Sequence, residues 1–213
     1  MANTAAPFGF RQFGRREGGA PTAGMDRKFV SSGATFPIFT GDTVIRTTTA
    51  PYVISGGSTA GITVPIEGVF LGCKYYNTNV GRTVWNSYWP GSGASGDVEA
   101  YVCTDPEQQY IVQGSTGGVL GSSVIGFGIP MSVTGSSLGN TLTGQSVMTV
   151  TSSLVTGLTS NAQFEIVDIY SNVAPPGVNG TSTGAEGLQI VVVQPLTAYR
   201  KTLMGAATVL VTT

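Results

Sequence analysis

Residues 97–113 read DVEAYVCTDPEQQYIVQ, and this stretch decides the fold class. Val98, Ala100 and Val102 lie on one face of an extended strand, because successive side chains alternate between its two sides. The opposite face carries Asp97, Glu99, Tyr101 and Cys103. This alternation predicts a strand with one face against a hydrophobic core.

The segment Asp105-Pro106-Glu107-Gln108 then carries a helix-start signal, because Asp can cap free N–H groups and Pro suits the first helical position. Tyr110-Ile111-Val112 resumes an extended pattern at once, so we expect one turn between two strands. No segment predicts a helix long enough to cross over between parallel strands, and the sheets should therefore be antiparallel.

The same strand pattern is found along the chain from about residue 28 onward, where short β-branched and aromatic runs alternate with Gly, Ser, Asn or Pro clusters. The predicted strands are Phe36–Phe39, Thr43–Arg46, Tyr52–Ile54, Gly68–Tyr76, Thr83–Tyr88, Val98–Cys103, Tyr110–Gln113, Val124–Phe127, Val147–Val150, Phe164–Tyr170 and Leu188–Val193. The apolar run at residues 190–193 is continuous, which is typical of a strand covered on both faces, either central in its sheet or beneath a neighbouring subunit. We predict an all-β protein, an antiparallel β-sandwich or barrel of jelly-roll-like form, with an extended N-terminal arm.

Three regions follow from this interpretation. Residues 1–28 form the arm, residues 29–200 form a single β-domain, and residues 201–213 form a C-terminal segment. Long loops rich in Gly, Ser and Thr are predicted at residues 114–142 and 177–187.

The arm holds five of the ten Lys and Arg residues of the chain. Its many Gly and Pro residues predict that no regular helix or strand repeat forms there. Aromatic side chains lie between the arginines, a combination suited to contact with another protein surface. The residues concerned are Phe8, Phe10, Arg11, Phe13, Arg15 and Arg16. The alternative is a terminus without a function.

Composition excludes several classes of site. The chain has no His, which removes His-dependent catalytic triads and His-ligated zinc sites. Cys73 and Cys103 lack CxxC spacing, and two reduced, buried thiols are favoured over a disulfide between them. No catalytic residue, metal site or cofactor is predicted. Only 10% of residues are charged and the net charge is −1, which favours burial of faces in an assembly.

Three sequence patterns resemble catalytic or ligand-binding motifs, but each has a simpler explanation. Residues 135–139 match G-x-S-x-G, but neither the helix nor the His that this motif requires is present. The carboxylates of Asp97, Glu99, Asp105 and Glu107 suit glycosidase chemistry or a calcium site, and equally a solvated strand face. The aromatic group Tyr75, Tyr76, Trp85, Tyr88 and Trp89 suits a sugar site, and more often forms a core or an interface.

Partners are limited by charge and hydropathy. No Lys or Arg lies between Arg82 and Arg200, so contact with a run of nucleic-acid phosphates is disfavoured. The N-terminus lacks the apolar core of a secretory signal, and no apolar run approaches the roughly 20 residues that span a bilayer. We therefore expect no membrane partner and synthesis in the cytoplasm of the producing cell.

The strings APFGFRQFGRREGGAPTAG, TGDTV, GVFLGCKYYN, GRTVWNSYWPG and DVEAYVCTDPEQQYIVQ resemble a group of tailed-bacteriophage virion proteins. This resemblance implies a cement or decoration protein on the outside of the capsid. Such proteins form β-rich trimers that clamp neighbouring capsomers through terminal arms. The partner would be the major capsid protein, with contact at Phe8, Phe10, Arg11, Phe13, Arg15 and Arg16, and assembly would occur in the host cytoplasm.

Two other classes remain open. One is a head-fibre or tail adhesin that binds host carbohydrate through the aromatics from Trp85 to Trp89. The other is a carboxylate-based polysaccharide hydrolase.

The interpretation of residues 1–28 as an arm also makes a prediction about truncation. Residues 1–24 should be removable while the β-domain stays folded.

Overall fold

The structure, a computed structural model, describes residues 6–20, 24–31, 34–47, 52–56, 65–115, 120, 122–132, 139–151, 162–170 and 189–196. In chain order the strands are β1 Arg11–Arg15, β2 Met25–Val30, β3 Thr43–Arg46, β4 Val53–Ser55, β5 Ile66–Asn77, β6 Arg82–Asn86, β7 Val98–Cys103, β8 Gln108–Gln113, β9 Gly128–Ile129, β10 Met131–Ser132, β11 Gly139–Asn140, β12 Gln145–Ser146, β13 Thr149–Val150, β14 Phe164–Ile169 and β15 Ile190–Pro195. The described chain is all-β, as predicted, and includes a short 3-10 turn at Ser122–Val124.

Two antiparallel sheets build the body. Sheet A has the order β1-β8-β15-β14-β9, and sheet B has the order β2-β7-β5-β3-β4, with β6 paired to β5. Two further two-strand pairs, β10–β13 and β11–β12, lie outside these sheets. The arrangement is a β-sandwich, which confirms the predicted fold class.

The hydrophobic core between the sheets draws on both of them. Its buried residues are Phe10, Ile66, Val69, Cys103, Tyr110, Val112, Leu120, Val124, Ile129, Met148, Val150, Phe164, Ile166, Val191 and Val193. A second core covers the other face of sheet B and contains Val30, Ile38, Val44, Val53, Phe70, Cys73, Tyr75, Trp89, Val98, Ala100 and Val102. Sheet B is therefore buried on both faces over part of its area.

The alternation in β7 is confirmed. Val98, Ala100 and Val102 are fully buried in the second core, and Cys103 faces the core between the sheets. Glu99 and Tyr101, on the same face as Cys103, are only half-buried. Sheet A thus covers one end of that face and leaves the other end accessible to solvent. We name this part the open face of sheet B.

The turn after β7 and the central strand are also as predicted. Asp105 accepts a hydrogen bond from the Glu107 backbone N–H at 2.9 Å, and Gln108 N donates to Asp105 O at 3.2 Å. This single turn joins β7 to β8. Strand β15 lies between β8 and β14, and Val191, Val192 and Val193 are all buried. The continuous apolar run therefore marks a central strand.

The N-terminal segment differs from the predicted arm. Arg11–Arg15 pairs with β8 at the edge of sheet A, and Met25–Val30 pairs with β7 at the edge of sheet B. The prediction that no strand forms among these residues is wrong, because a ladder to an existing sheet compensates for a poor intrinsic strand propensity. A register shift between Gln12 and Gly14 accommodates the irregular sequence.

Two predicted strands are wrong in detail. The Val124–Phe127 region contains the end of the 3-10 turn rather than a strand. Only Ile38 of Phe36–Phe39 pairs, through an isolated bridge to Trp89. In both places apolar residues fill a core without extending a ladder, which a hydrophobic pattern cannot distinguish from a strand.

Within the described ranges, no helix is long and apolar enough to cross a membrane.

Candidate functional site

The six residues predicted for capsid contact fall into two groups. Phe10 is 2% exposed and belongs to the protein's own core, where it stacks on Phe164 at 4.6 Å between ring centroids and meets Tyr110 edge-on at 6.4 Å. Arg15 forms an ion pair with Asp105, with 3.2 Å between Nε and Oδ2. Both side chains therefore make contacts within the chain, and the other four predicted residues lie at the surface.

Phe8, Arg11, Phe13 and Arg16 are these four, and we name them the β1 strip. The Arg11 guanidinium lies 5.0 Å from the Phe8 ring centroid, within cation–π range. Phe13 is 46% exposed and meets the Tyr170 ring edge-on at 5.7 Å. Because the strip lies on and beside a strand paired to β8, its groups are held by a sheet rather than by a mobile tail.

Three of the five cations in residues 1–28 bind carboxylates of the same chain. Besides Arg15, Arg27 reaches Glu99 at 3.2 Å and Lys28 reaches Glu67 at 2.6 Å. No carboxylate lies within ion-pair distance of Arg11 or Arg16 among the residues that the structure describes. The basic segment is therefore partly neutralised by the body, and its two remaining charges belong to the β1 strip.

Glu67 is a buried carboxylate that the sequence analysis did not single out. Its side chain is 1% exposed and pairs with both Lys28 and Arg46, the latter through two hydrogen bonds of 2.9 and 3.1 Å. The bidentate pair offsets the high cost of burying the carboxylate. An available signal was its place within an otherwise apolar strand, Ile66-Glu67-Gly68-Val69.

The turn at residues 39–42 anchors the N-terminal segment. Phe10 N donates to Gly41 O at 2.9 Å, and Gly41 N donates to Phe70 O at the same distance. Gly9 has φ +71°, and a Cβ there would lie 2.5 Å from the Ser146 Cβ, so glycine is required for this close approach. The segment is thus fixed to sheet B through this turn.

The buried side chain of Asp42 stabilises this turn through a hydrogen bond. Its Oδ2 accepts a hydrogen bond from Phe39 N at 2.7 Å, and the residue is fully buried. Burial raises the pKa of Asp42 from its ordinary value of 3.8 to about 7, although hydrogen bonds from Phe39 N and the Ser146 side chain act in the opposite direction. The sequence did not single out Asp42, because burial of a turn residue is not a local property.

The aromatic group is divided by the fold. Trp89 is fully buried against Tyr75, with 5.2 Å between ring centroids, and Tyr88 stacks on Phe39. Trp85 is 68% exposed and lies on the open face of sheet B. The five aromatics therefore cannot form one sugar platform, and Trp85 is separated from Trp89.

The four carboxylates considered for catalysis or calcium are also separated in their contacts. Asp97 accepts from the Tyr52 hydroxyl at 2.6 Å, and Glu107 accepts from the Gln194 amide at 3.0 Å. Glu99 pairs with Arg27 and Lys74. Across the described ranges, no three Cys, Asp or Glu side chains converge as a metal site.

Cys73 and Cys103 are free thiols in different cores, on opposite faces of sheet B. This placement prevents a disulfide between them within one folded chain. Burial raises the pKa of the Cys73 thiol to about 12, which keeps it in the unreactive protonated form. Of the G-x-S-x-G match, residues 135–138 lie outside the described residues, as does the C-terminal segment 201–213.

Comparison with known proteins found no matching family model, no matching curated protein and no matching solved structure.

Proposed function

We propose that this protein is a non-enzymatic structural protein of a tailed bacteriophage, which binds the outside of the capsid shell and cements neighbouring capsomers. Its partners are the major capsid protein and further copies of itself, in a trimer. It is made in the host cytoplasm and ends on the outer surface of the virion. The proposal rests on the resemblance of the quoted strings and on the β1 strip.

The β1 strip is the observation that carries this proposal. Two aromatic rings and two cations lie exposed or half-buried at a sheet edge, without carboxylate partners in the described part of the chain. Aromatic side chains and Arg are the residue types enriched where protein interfaces derive their affinity. Since the strip lies on a strand, little conformational entropy is lost when a partner covers it.

The balance of charges supports a protein partner. Outside the N-terminal segment the chain is poor in cations, so contact with nucleic acid has little electrostatic support. Burying one Phe is worth about 1.5 to 3 kcal/mol, whereas an exposed ion pair contributes about 0 to 1 kcal/mol. The two aromatics of the strip should therefore contribute more to affinity than its two arginines.

We predict that Phe8→Ala combined with Phe13→Ala releases the protein from capsids, whereas Arg11→Gln combined with Arg16→Gln weakens binding less. The arginine variant should also lose most of the salt dependence of binding. Both effects can be measured by co-sedimentation of each variant with phage capsids (heads) that were assembled without this protein, at several salt concentrations. Phe10 is left unchanged because it is a core residue.

Tyr76→Ala is the matched control, since Tyr76 and Phe13 are both 46% exposed and Tyr76 lies on sheet B. This control should bind heads like the unaltered protein. Unimpaired binding by the double Phe variant would contradict the assignment of the β1 strip. Failure of the unaltered protein to bind heads would contradict the proposed function itself.

The predicted trimer has a separate test. A chain with 10% charged residues has little electrostatic repulsion between copies, which favours self-association. We expect a mass of three chains by native mass spectrometry or sedimentation, or three copies grouped in images of the capsid. A monomer at high concentration together with isolated copies on capsids would contradict this prediction.

A further inference from the structure

Trp85 is held in a fixed position on the open face of sheet B. Its ring stacks on Tyr101 with 5.0 Å between centroids and 16° between planes. Both residues belong to paired strands, Trp85 in β6 and Tyr101 in β7, with β5 between them. The exposed indole is therefore supported by a second ring and by the sheet, and is preorganised to stack against a ligand.

A pocket lies beside these rings because of a glycine. Gly72 is the β5 residue opposite Tyr101, and it leaves a depression in the middle of the sheet face. The pocket has a volume of about 320 Å³ and is lined by Met25, Leu71, Gly72, Trp85, Asn86 and Tyr101, among others. Its walls are mainly apolar, and the polar atom nearest to Gly72 is the backbone carbonyl of Asn86.

Charged groups surround the rings. Lys74 Nζ lies 5.6 Å from the centroid of Trp85, and Lys74 and Arg27 flank Glu99 at 3.7 and 3.2 Å. The Tyr101 hydroxyl donates to the same carboxylate at 3.3 Å. Two cations flank one carboxylate here, and Asp97, on the same face of the strand, accepts a hydrogen bond from the Tyr52 hydroxyl instead, so a ligand with a carboxylate matches Arg27 and Lys74 best.

We propose that this pocket binds an oligosaccharide containing an acidic sugar. A pyranose ring presents C–H groups on one face, and these pack on an indole, whose face is electron-rich. Its hydroxyl groups can donate hydrogen bonds to the Glu99 carboxylate, which lies beside the pocket on the same face. The sugar carboxylate meets Arg27 and Lys74. This site is independent of the proposed capsid contact, which the β1 strip carries.

The two tryptophans provide a direct assay. Trp89 is fully buried and Trp85 is 68% exposed, so a ligand-dependent change in tryptophan fluorescence or in quenching by iodide reports on Trp85. The probes are tri-galacturonate and a sialic acid trimer as acidic sugars, and maltotriose as a neutral sugar. We expect saturable binding of at least one acidic trimer, with a dissociation constant on the order of 1 mM and weaker binding of maltotriose.

Calorimetric measurement of sugar affinity in substituted proteins tests where the sugar binds. Trp85→Ala should weaken binding at least tenfold, and Phe36→Ala, at an aromatic that is 57% exposed and outside the pocket, should leave it unchanged. Arg27→Gln combined with Lys74→Gln should remove the preference for acidic over neutral sugar. Circular dichroism establishes that each variant is folded, and the charge variant tests the site even where Trp85→Ala does not fold.

Three results would overturn the proposal. The first is the absence of saturable binding of both acidic trimers at millimolar concentration. The second is equal affinity of Trp85→Ala and the unaltered protein. The third is protection of Trp85 from iodide that rises with protein concentration without sugar, since this would make the pocket an interface between copies.

Discussion

Phe10→Ala is expected to lower the free energy of unfolding by about 3 to 5 kcal/mol, the range for removing a large aromatic side chain from a core. Phe10 is 2% exposed, stacks on Phe164 and joins the N-terminal segment to the core between the sheets. Loss of the ring leaves a cavity that a tightly packed sandwich fills only in part. Denaturant-induced unfolding followed by circular dichroism measures the change.

Phe13→Ala is the control within the same segment. Phe13 is 46% exposed and has one edge-on ring contact, with Tyr170, so we expect a loss of about 1 kcal/mol or less. Equal effects of the two substitutions would contradict the placement of Phe10 in the core.

The same placement changes what a truncation can test. Deleting residues 1–24 removes both Phe10 and β1, so loss of capsid binding by that variant would not separate contact from folding. The expectation that the β-domain stays folded without residues 1–24 therefore lacks support from the structure. Substitutions confined to the β1 strip avoid this difficulty.

Asp42→Asn is expected to change the pH dependence of stability. The unfolded chain releases the Asp42 proton near the ordinary pKa of 3.8, whereas the folded protein releases it at about 7. Between these values the folded state binds more protons, so the free energy of unfolding falls as pH rises, and above about 7 this contribution stays constant. At about 1.4 kcal/mol per pKa unit, the free energy of unfolding falls by an amount on the order of 4 kcal/mol over this pH range.

The amide introduced by Asp42→Asn stays neutral and its oxygen can still accept the Phe39 N–H, so the variant avoids this loss. Its stability relative to the unaltered protein should rise from pH 4 to pH 8, as measured by urea unfolding at several pH values. Asp168→Asn, at an exposed position, should follow the unaltered protein throughout. A constant difference between Asp42→Asn and the unaltered protein across this pH range would contradict the prediction.

The site was predicted less completely than the fold. Phe8, Phe10 and Phe13 have the same residue type and similar neighbours, yet one is a core residue and two belong to the surface. Trp85 and Trp89 differ in the same way, at 68% and 0% exposed. Sequence alone could not separate these residues, because burial depends on which distant segment covers each side chain.

The sequence by itself determined the all-β class, the turn at Asp105 and the central position of the 190–193 run. Alternation, turn residues and a continuous apolar run are local properties, and they limit the structures that a short segment can form. Only the tertiary structure decided that the Gly-rich N-terminal segment supplies an edge strand to each sheet. It also decided that Asp42 and Glu67 are buried and that Trp85 stacks on Tyr101 beside Gly72. Each of these features requires strands distant in sequence to pair in one register, and the free energy that selects this register comes from the two cores as a whole.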